Sequence, residues 1–145
     1  MKAHLLDVNV LISLMWPAHA DHRKVQIWMG QNASHGWATC PITQTAVVRI
    51  LSNPALSRDA LTIRQAIEAL AATLKHPNHQ FWEDRIALAE AVEPLRAKLV
   101  GHRQVTDAYL LGLALHRKAN LATMDRGILE LAGHGTLAAD AVTLL

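Results

Sequence analysis

Cysteine is almost absent. The single Cys40 excludes an internal disulfide and a cysteine-based zinc site, so a reducing cytoplasm fits the chain best. Glycine and proline are scarce, at 7 and 5 residues. There is no Gly/Ser linker, internal repeat or charge block to divide the chain, and one domain over residues 1–145 is expected. A Walker A run is missing, which removes a P-loop nucleotidase. Aromatics make up only 4%, with one Tyr and one Phe, too few for an all-β sandwich. No apolar run approaches the ~18 residues that span a bilayer. The N-terminal MKAHLLDVNVLISLMW carries Asp7 in its middle and lacks a small-residue cleavage site, so it reads as structure and not as a signal peptide.

What is present is alanine and leucine, 24 and 22 residues of 145. Hydrophobic residues reach 51% and charged residues 18%, which excludes a disordered tail. This length buries about two-thirds of the unfolded surface, enough for an unstapled core. The net charge is +2 with a pI near 9.0. That permits nucleic acid as a partner without requiring it.

The pattern alternates short apolar strands with helices. Strands are expected at 3–6, 37–39, 80–82, 120–122 and 141–144. Helices are expected at 8–15, stopped by Trp16-Pro17, and at 19–29, ended by Gly30. Thr43 is read as capping a helix through Leu51. A further helix over 61–74 carries Leu61, Ala66, Ile67, Leu70 and Leu74 on one stripe. Helices are also expected at 86–99, interrupted near Pro94, at 106–117, and as a turn at 127–131. Such alternation predicts a parallel sheet covered by helices on both sides.

Three aspartates hold special positions on that plan. Asp7 ends the first strand, Asp125 comes just after the fourth, and Asp107 opens a helix after Thr106. In an open α/β sheet ligands sit beyond the carboxyl ends of the strands, so all three point towards one rim. Two carboxylates about 4 Å apart repel by roughly 4 kcal/mol at an effective dielectric near 20. Three together need protons or cations. Hard divalent ions, Mg²⁺ or Mn²⁺, prefer such oxygens and suit hydrolysis of a phosphodiester by an activated water. Taken singly, each Asp also reads as a helix cap or turn former. The other nine acids are expected on polar helix faces or loops.

Four blocks carry a resemblance: Leu5-Leu6-Asp7-Val8-Asn9-Val10-Leu11-Ile12; Cys40-Pro41-Ile42-Thr43-Gln44 through Arg49 to Ser52-Asn53-Pro54; Val105-Thr106-Asp107-Ala108-Tyr109-Leu110; and Leu121-Ala122-Thr123-Met124-Asp125-Arg126-Gly127. In this order and spacing the chain resembles a PIN domain, most nearly the VapC-type ribonuclease toxins of toxin–antitoxin pairs, from Lys2 to Leu144. The resemblance implies a three-layer α/β/α fold, with a central parallel sheet of four to five short strands. It implies a metal-dependent endoribonuclease with Mg²⁺ or Mn²⁺ held by Asp7, Asp107 and Asp125. It also implies a homodimer and inhibition by a VapB-type antitoxin, expected to lay a basic side chain across the acidic groove. Asn9 and Thr123 match supporting polar neighbours, and Thr106 the polar residue before the third acid. Gln44 stands where the family usually has Glu, and no acid occurs between His22 and Arg58 to replace it. A Gln can hydrogen-bond but carries no charge and is no base. A PIN-like module for binding RNA or protein, with weakened catalysis, is therefore the alternative.

Other signals weigh less. A receiver-type phosphotransfer domain wants a second acid beside Asp7 and a late Lys; the chain has Val8 and no Lys beyond Lys118. Gly133-His134-Gly135-Thr136-Leu137-Ala138 matches a dinucleotide fingerprint but is preceded by no strand. His19-x-x-His22 and His76-x-x-His79 have metal-pair spacing, yet read as solvated loop histidines. Cys40 reads as a small buried hydrophobe, and Trp16, Trp28, Trp37 and Trp82 as core or interface anchors. Arg126 and Arg103 are candidate RNA phosphate contacts, with His102 also near the rim. Arg117 and Lys118 read as balancing a helix C-terminus, and Arg49 as either a phosphate contact or a structural ion pair.

Overall fold

Strands with no polar face must be covered on both sides. The computed structural model, which describes residues 1–56 and 58–145, has that arrangement. β1 (His4–Leu6), β2 (Trp37–Thr39), β3 (His79–Phe81), β4 (Asn120–Thr123) and β5 (Val142–Leu144) form a sheet in the order β3-β2-β1-β4-β5. Every pairing is parallel, with Leu5 opposite Ala38 on one side and Leu121 on the other. The chain builds outward from β1 through β2 and β3, then returns to place β4 on the opposite side. The crevice beyond the ends of β1 and β4 is therefore a topological switch point, where open α/β sheets bind ligands.

Successive strand residues point to opposite faces, and this divides the core in two. Leu5 and Leu121 enter one cluster with Leu110, Leu113, Ile128 and Leu131. Leu6 and Ala122 enter the other with Val10, Trp37, Val47 and Leu70. The first side is covered by α5 (Leu88–Ala91), α6 (Val105–His116), α7 (Arg126–Ala132) and α8 (Leu137–Asp140). The second is covered by α1 (Val8–Met15), α2 (His22–Asn32), α3 (Pro41–Leu51) and α4 (Ile63–Thr73). Residues Ala108 to Ala114 of α6 are all buried. A side chain at Gly112 would come within 2.1 Å of the Ala91 carbonyl oxygen, so glycine there lets α5 lie against α6.

Several boundaries differ from the sequence expectation for local reasons. The helix expected from His19 begins at His22, because the His19 ring accepts from the Asp21 N–H and closes a turn first. Gly30 does not end it. Helix α2 runs on to Asn32, whose side chain donates to the Trp28 carbonyl. Thr43 is not the cap of α3. Cys40 is, and the Thr43 hydroxyl accepts from the Cys40 N–H from the third helical position. Ile67 leaves the predicted stripe and is 52% exposed, while Ala66 and Leu70, one turn apart, are buried. Pro94 divides the 86–99 segment into the short α5 and a 3₁₀ stretch over Glu93–Lys98. The sequence pattern did not reveal α8, which Thr136 caps through the Ala139 N–H. Its glycine-rich approach, Gly133 to Gly135, comes after α7 and not after a strand.

Candidate active site

Asp7 is placed by β1 and held by α1 and β4. It caps α1, with Oδ1 accepting from the Val8 N–H at 2.7 Å. Oδ2 accepts from the Thr123 hydroxyl at 2.7 Å. Thr123 ends β4, and its oxygen also accepts from the Asp125 N–H at 3.0 Å. One fully buried hydroxyl thus ties the ends of β1 and β4 together. Asn9 adds a second tie, its Oδ1 accepting from the Met124 N–H at 3.3 Å. Asp125 caps α7 through the Gly127 N–H at 2.8 Å and stays exposed.

Asp107 comes from the other layer. It does not cap its helix: Gln104 holds that position, and Asp107 lies in the first turn of α6 behind exposed Thr106. Among the described residues it has no hydrogen bond or ion pair. Its carboxyl is pushed up to about 6, first by burial and then by the charges of Asp7 and Asp125. The Asp7 carboxyl is also raised, chiefly by burial and partly by Asp125, against the lowering effect of Thr123 and Val8. The charges of Asp7 and Asp125 thus reach Asp107, and that of Asp125 reaches Asp7.

Among the described residues no cationic side chain forms an ion pair with these carboxylates. The ion pairs among the described residues, Arg85–Glu83 and Arg96–Glu93, are exposed and involve none of the three. Three carboxylates without a counter-charge are a donor set of hard oxygens, the chemistry that hard divalent ions select. Among the described residues no three His, Cys, Asp or Glu side chains already stand as a metal-holding group. The aspartates sense one another without forming a finished cage.

Gln44 is hydrogen-bonded to the end of β2. Its Nε2 donates to the Thr39 hydroxyl oxygen at 2.9 Å, and Thr39 bonds His79 Nε2 at 2.8 Å. Thr39 ends β2, which lies between β1 and β3, and His79 is on β3. The side of α3 that faces the start of α6 is a different one: Ile42, Thr45, Ala46 and Arg49 line a cleft there with Thr106. Arg49 is exposed and makes no ion pair among the described residues, which corrects its structural ion-pair reading. Arg126, beside Asp125, and Arg103, one turn before Asp107, are exposed as well. Arg117 lies over the Trp82 ring at 5.4 Å, a cation–π contact that sequence spacing does not reveal.

His76 is an exposed loop residue and His19 lies in a loop, as expected, whereas His22 is on α2 and His79 on β3; all four rings have partners. His76 accepts from the Trp37 indole, His79 pairs with Thr39, and both rings lie against Trp37. His19 and His22 both hold Ser13, one at its hydroxyl and the other at its carbonyl. Cys40 is buried, as a small hydrophobe would be, and burial raises its thiol. Trp37 and Trp82 are core residues, while Trp16 and Trp28 are half-buried.

The PIN domain family matches residues 4–134. Ribonuclease VapC38 of Mycobacterium tuberculosis is 42% identical over 88% of this chain and 89% of its own length. Ribonuclease VapC39 of the same organism is 41% identical over 90% of this chain and 94% of its own length. Two solved structures share the fold. FitAcB from Neisseria gonorrhoeae has a TM-score of 0.63 at 18% identity, covering 97% of this chain and 96% of its own. VapBC2 from Rickettsia felis, bound to a promoter DNA fragment, has a TM-score of 0.61 at 12% identity, covering 89% of this chain and 92% of its own. PIN-domain VapC nucleases generally depend on a divalent metal. The parallel sheet, the acids at its switch point and these relatives together make the chain a member of the PIN-domain family, on its VapC branch.

Proposed function

We propose that this chain, acting as one domain over residues 1–145, is an endoribonuclease toxin that cleaves RNA phosphodiesters and is neutralised by a VapB-type antitoxin. The observation that carries the reading is the uncompensated carboxylate trio, drawn from β1, α6 and β4. In it Asp107 is raised to about 6 by burial and by its two neighbours. Asp7, Asp107 and Asp125 would hold the ion, Mg²⁺ or Mn²⁺. An ion held there would supply Lewis-acid chemistry, polarising a phosphodiester and lowering the pKa of a bound water.

The chain's own groups do the rest. Asp7 is fixed in place by Thr123 and Val8, so its second lone pairs are aimed without rotameric search. Thr123 and Asn9 keep the ends of β1 and β4 in register. Asp107, free of partners, stays available to bind the ion as a carboxylate above about pH 6. Arg126 and Arg103 supply contacts to RNA phosphates, which position the strand without reading sequence. The antitoxin inhibits by placing a basic side chain among the same acids, a charge match for the trio. The protein works as a homodimer in the cytoplasm.

The test is cleavage of RNA with Mg²⁺ present, its abolition by EDTA and its recovery on adding Mg²⁺. Asp7→Asn is expected to lower cleavage by at least about a hundredfold, because even residues that only orient metal ligands are worth ~10–100-fold. Cleavage that survives unchanged in this variant overturns the role of Asp7. The alternative, a binding module with weakened catalysis, depends on Gln44. Gln44→Glu separates the two readings: a large gain in cleavage would favour the weakened module, and cleavage near the wild-type level favours the nuclease.

A further inference from the structure

The acids that attract a metal repel a polyanion, so RNA must reach them along a surface that offers opposite charge. The structure has one such surface built as a cleft. It lies between α3 and the start of α6, has a volume of about 310 Å³, and is lined by Pro41, Ile42, Thr45, Ala46, Arg49 and Thr106. Arg49 is the single charged residue on its wall. It makes no ion pair among the described residues and has no charged competitor inside the cleft. A guanidinium stays protonated at any working pH and presents a fork that matches phosphate oxygens.

Two neutral donors accompany it. The Thr45 and Thr106 hydroxyls stand on opposite walls, both on exposed residues. Thr106 directly precedes Asp107, so the cleft opens next to the carboxylate trio. Pro41, Ile42 and Ala46 make the remaining lining apolar, a surface on which a ribose or a base edge can lie. The helical spacing 42, 45, 46, 49 puts these residues on one face of α3, the face turned towards α6.

From these observations we infer that the α3–α6 cleft is an RNA-binding subsite, in which Arg49 grips a backbone phosphate near the one that is cut. This rests on the nuclease reading and adds a strand path to it. Arg103 and Arg126 lie beside Asp107 and Asp125 in the chain, whereas Arg49 approaches from the other layer of the fold. The strand would thus be held from both sides of the acids. Ala46 matters for a steric reason: a larger side chain on that wall would fill the space.

The experiment measures binding of a fluorescein-labelled, single-stranded RNA of mixed sequence to the full chain carrying Asp7→Asn, which keeps the probe intact. The salt concentration is varied. Adding Arg49→Ala is expected to weaken binding roughly tenfold, the scale of one charge-assisted contact. It is also expected to reduce the slope of log affinity against log salt by about 0.7, the share of one single-strand phosphate contact. Arg49→Lys retains the slope and recovers part of the affinity. Ala46→Leu changes no charge and is expected to weaken binding with the slope unchanged. Arg23→Ala, on exposed α2, is the control for loss of one positive charge elsewhere.

Binding and slope unaltered by Arg49→Ala overturn the subsite. So does an equal loss from Arg23→Ala, which reduces the effect to net charge. Thermal melting of each variant shows that the comparison is between folded proteins. In the otherwise wild-type chain, Arg49→Ala should raise KM for RNA more than it lowers kcat. If the wild-type chain does not cleave RNA but Arg49-dependent binding remains, the nuclease reading fails and the subsite stands. If neither is seen, both fall.

Discussion

The sheet carries two polar groups of opposite character, one strand apart. Over β1 and β4 sit Asp7, Asp107 and Asp125, charged, mutually repelling and unmatched by any cation in an ion pair among the described residues. Over β2 and β3 sit Gln44, Thr39 and His79, neutral and joined in a chain of hydrogen bonds. Burial lowers the pKa of His79, and a bond from its ring to the Leu74 carbonyl works against that shift. The Thr39 hydroxyl is hydrogen-bonded to His79 Nε2, and its oxygen accepts from Gln44. The second group is complete within the protein, and satisfied buried polar groups rigidify a fold. The first is incomplete, and incomplete charge clusters mark places where something else binds.

This contrast is open to attack at several points. Thr123→Val should damage the acids without removing one, because it takes away the hydroxyl that orients Asp7 and receives the Asp125 N–H. A loss of ~10–100-fold in cleavage is expected, the range for groups that orient metal ligands. The Asp7 carboxyl, deprived of a bond that lowers it, should shift further up, moving the acid limb of the pH–rate profile to higher pH. Steady-state cleavage across pH checks both.

Asp107→Asn separates stability from function. A carboxyl near 6 in the fold and near 3.9 when unfolded means the folded state holds its proton longer. The folded chain binds more protons between those values, so stability falls as pH rises through that window. Linkage bounds the cost above pH 6 at about 3 kcal/mol, and partial exposure reduces it to the order of 1 kcal/mol. Asp107→Asn should therefore raise Tm by a few degrees above pH 6 and have little effect near pH 4, while cleavage is lost. Added Mg²⁺ should raise the wild-type Tm through preferential binding to the folded state and fail to raise that of the variant.

Gln44→Ala is the mildest change and the sharpest check on the division between the two groups. It removes one bond to Thr39 and is expected to cost about 1 kcal/mol of stability with cleavage within about twofold of wild type. A loss approaching that of Asp7→Asn would place Gln44 among the acids after all.

Much of the fold was legible along the chain. Leu5-Leu6 and Leu121-Ala122 are apolar at consecutive positions, which only a strand covered on both faces requires. Asp7 and Asp125 come directly after such strands, so their arrival at one edge is a consequence of a parallel sheet. Asp107 could be placed near a helix start, though not on the cap, because Gln104 takes the Val100 and Gly101 N–H groups from further back. Gln44 illustrates the limit. Its spacing from Cys40 resembles the family's acid position, but the Thr39 hydroxyl it bonds is shared with His79, on a strand that only the sheet brings alongside. Arg49 was ambiguous for the same reason: an ion pair needs a partner in space, and none could be read from its neighbours in sequence.

Periodicity and composition determined the layered α/β class, the buried strands and the identity of the acids, because these depend on residues close together in the chain. The tertiary structure decided the strand order, which brings the ends of β1 and β4, and with them Asp7 and Asp125, side by side. It also decided how far Asp107 is desolvated and which side of α3 meets α6. Those outcomes come from pairing and packing between distant segments, where burial and through-space charge act without regard to position in the sequence.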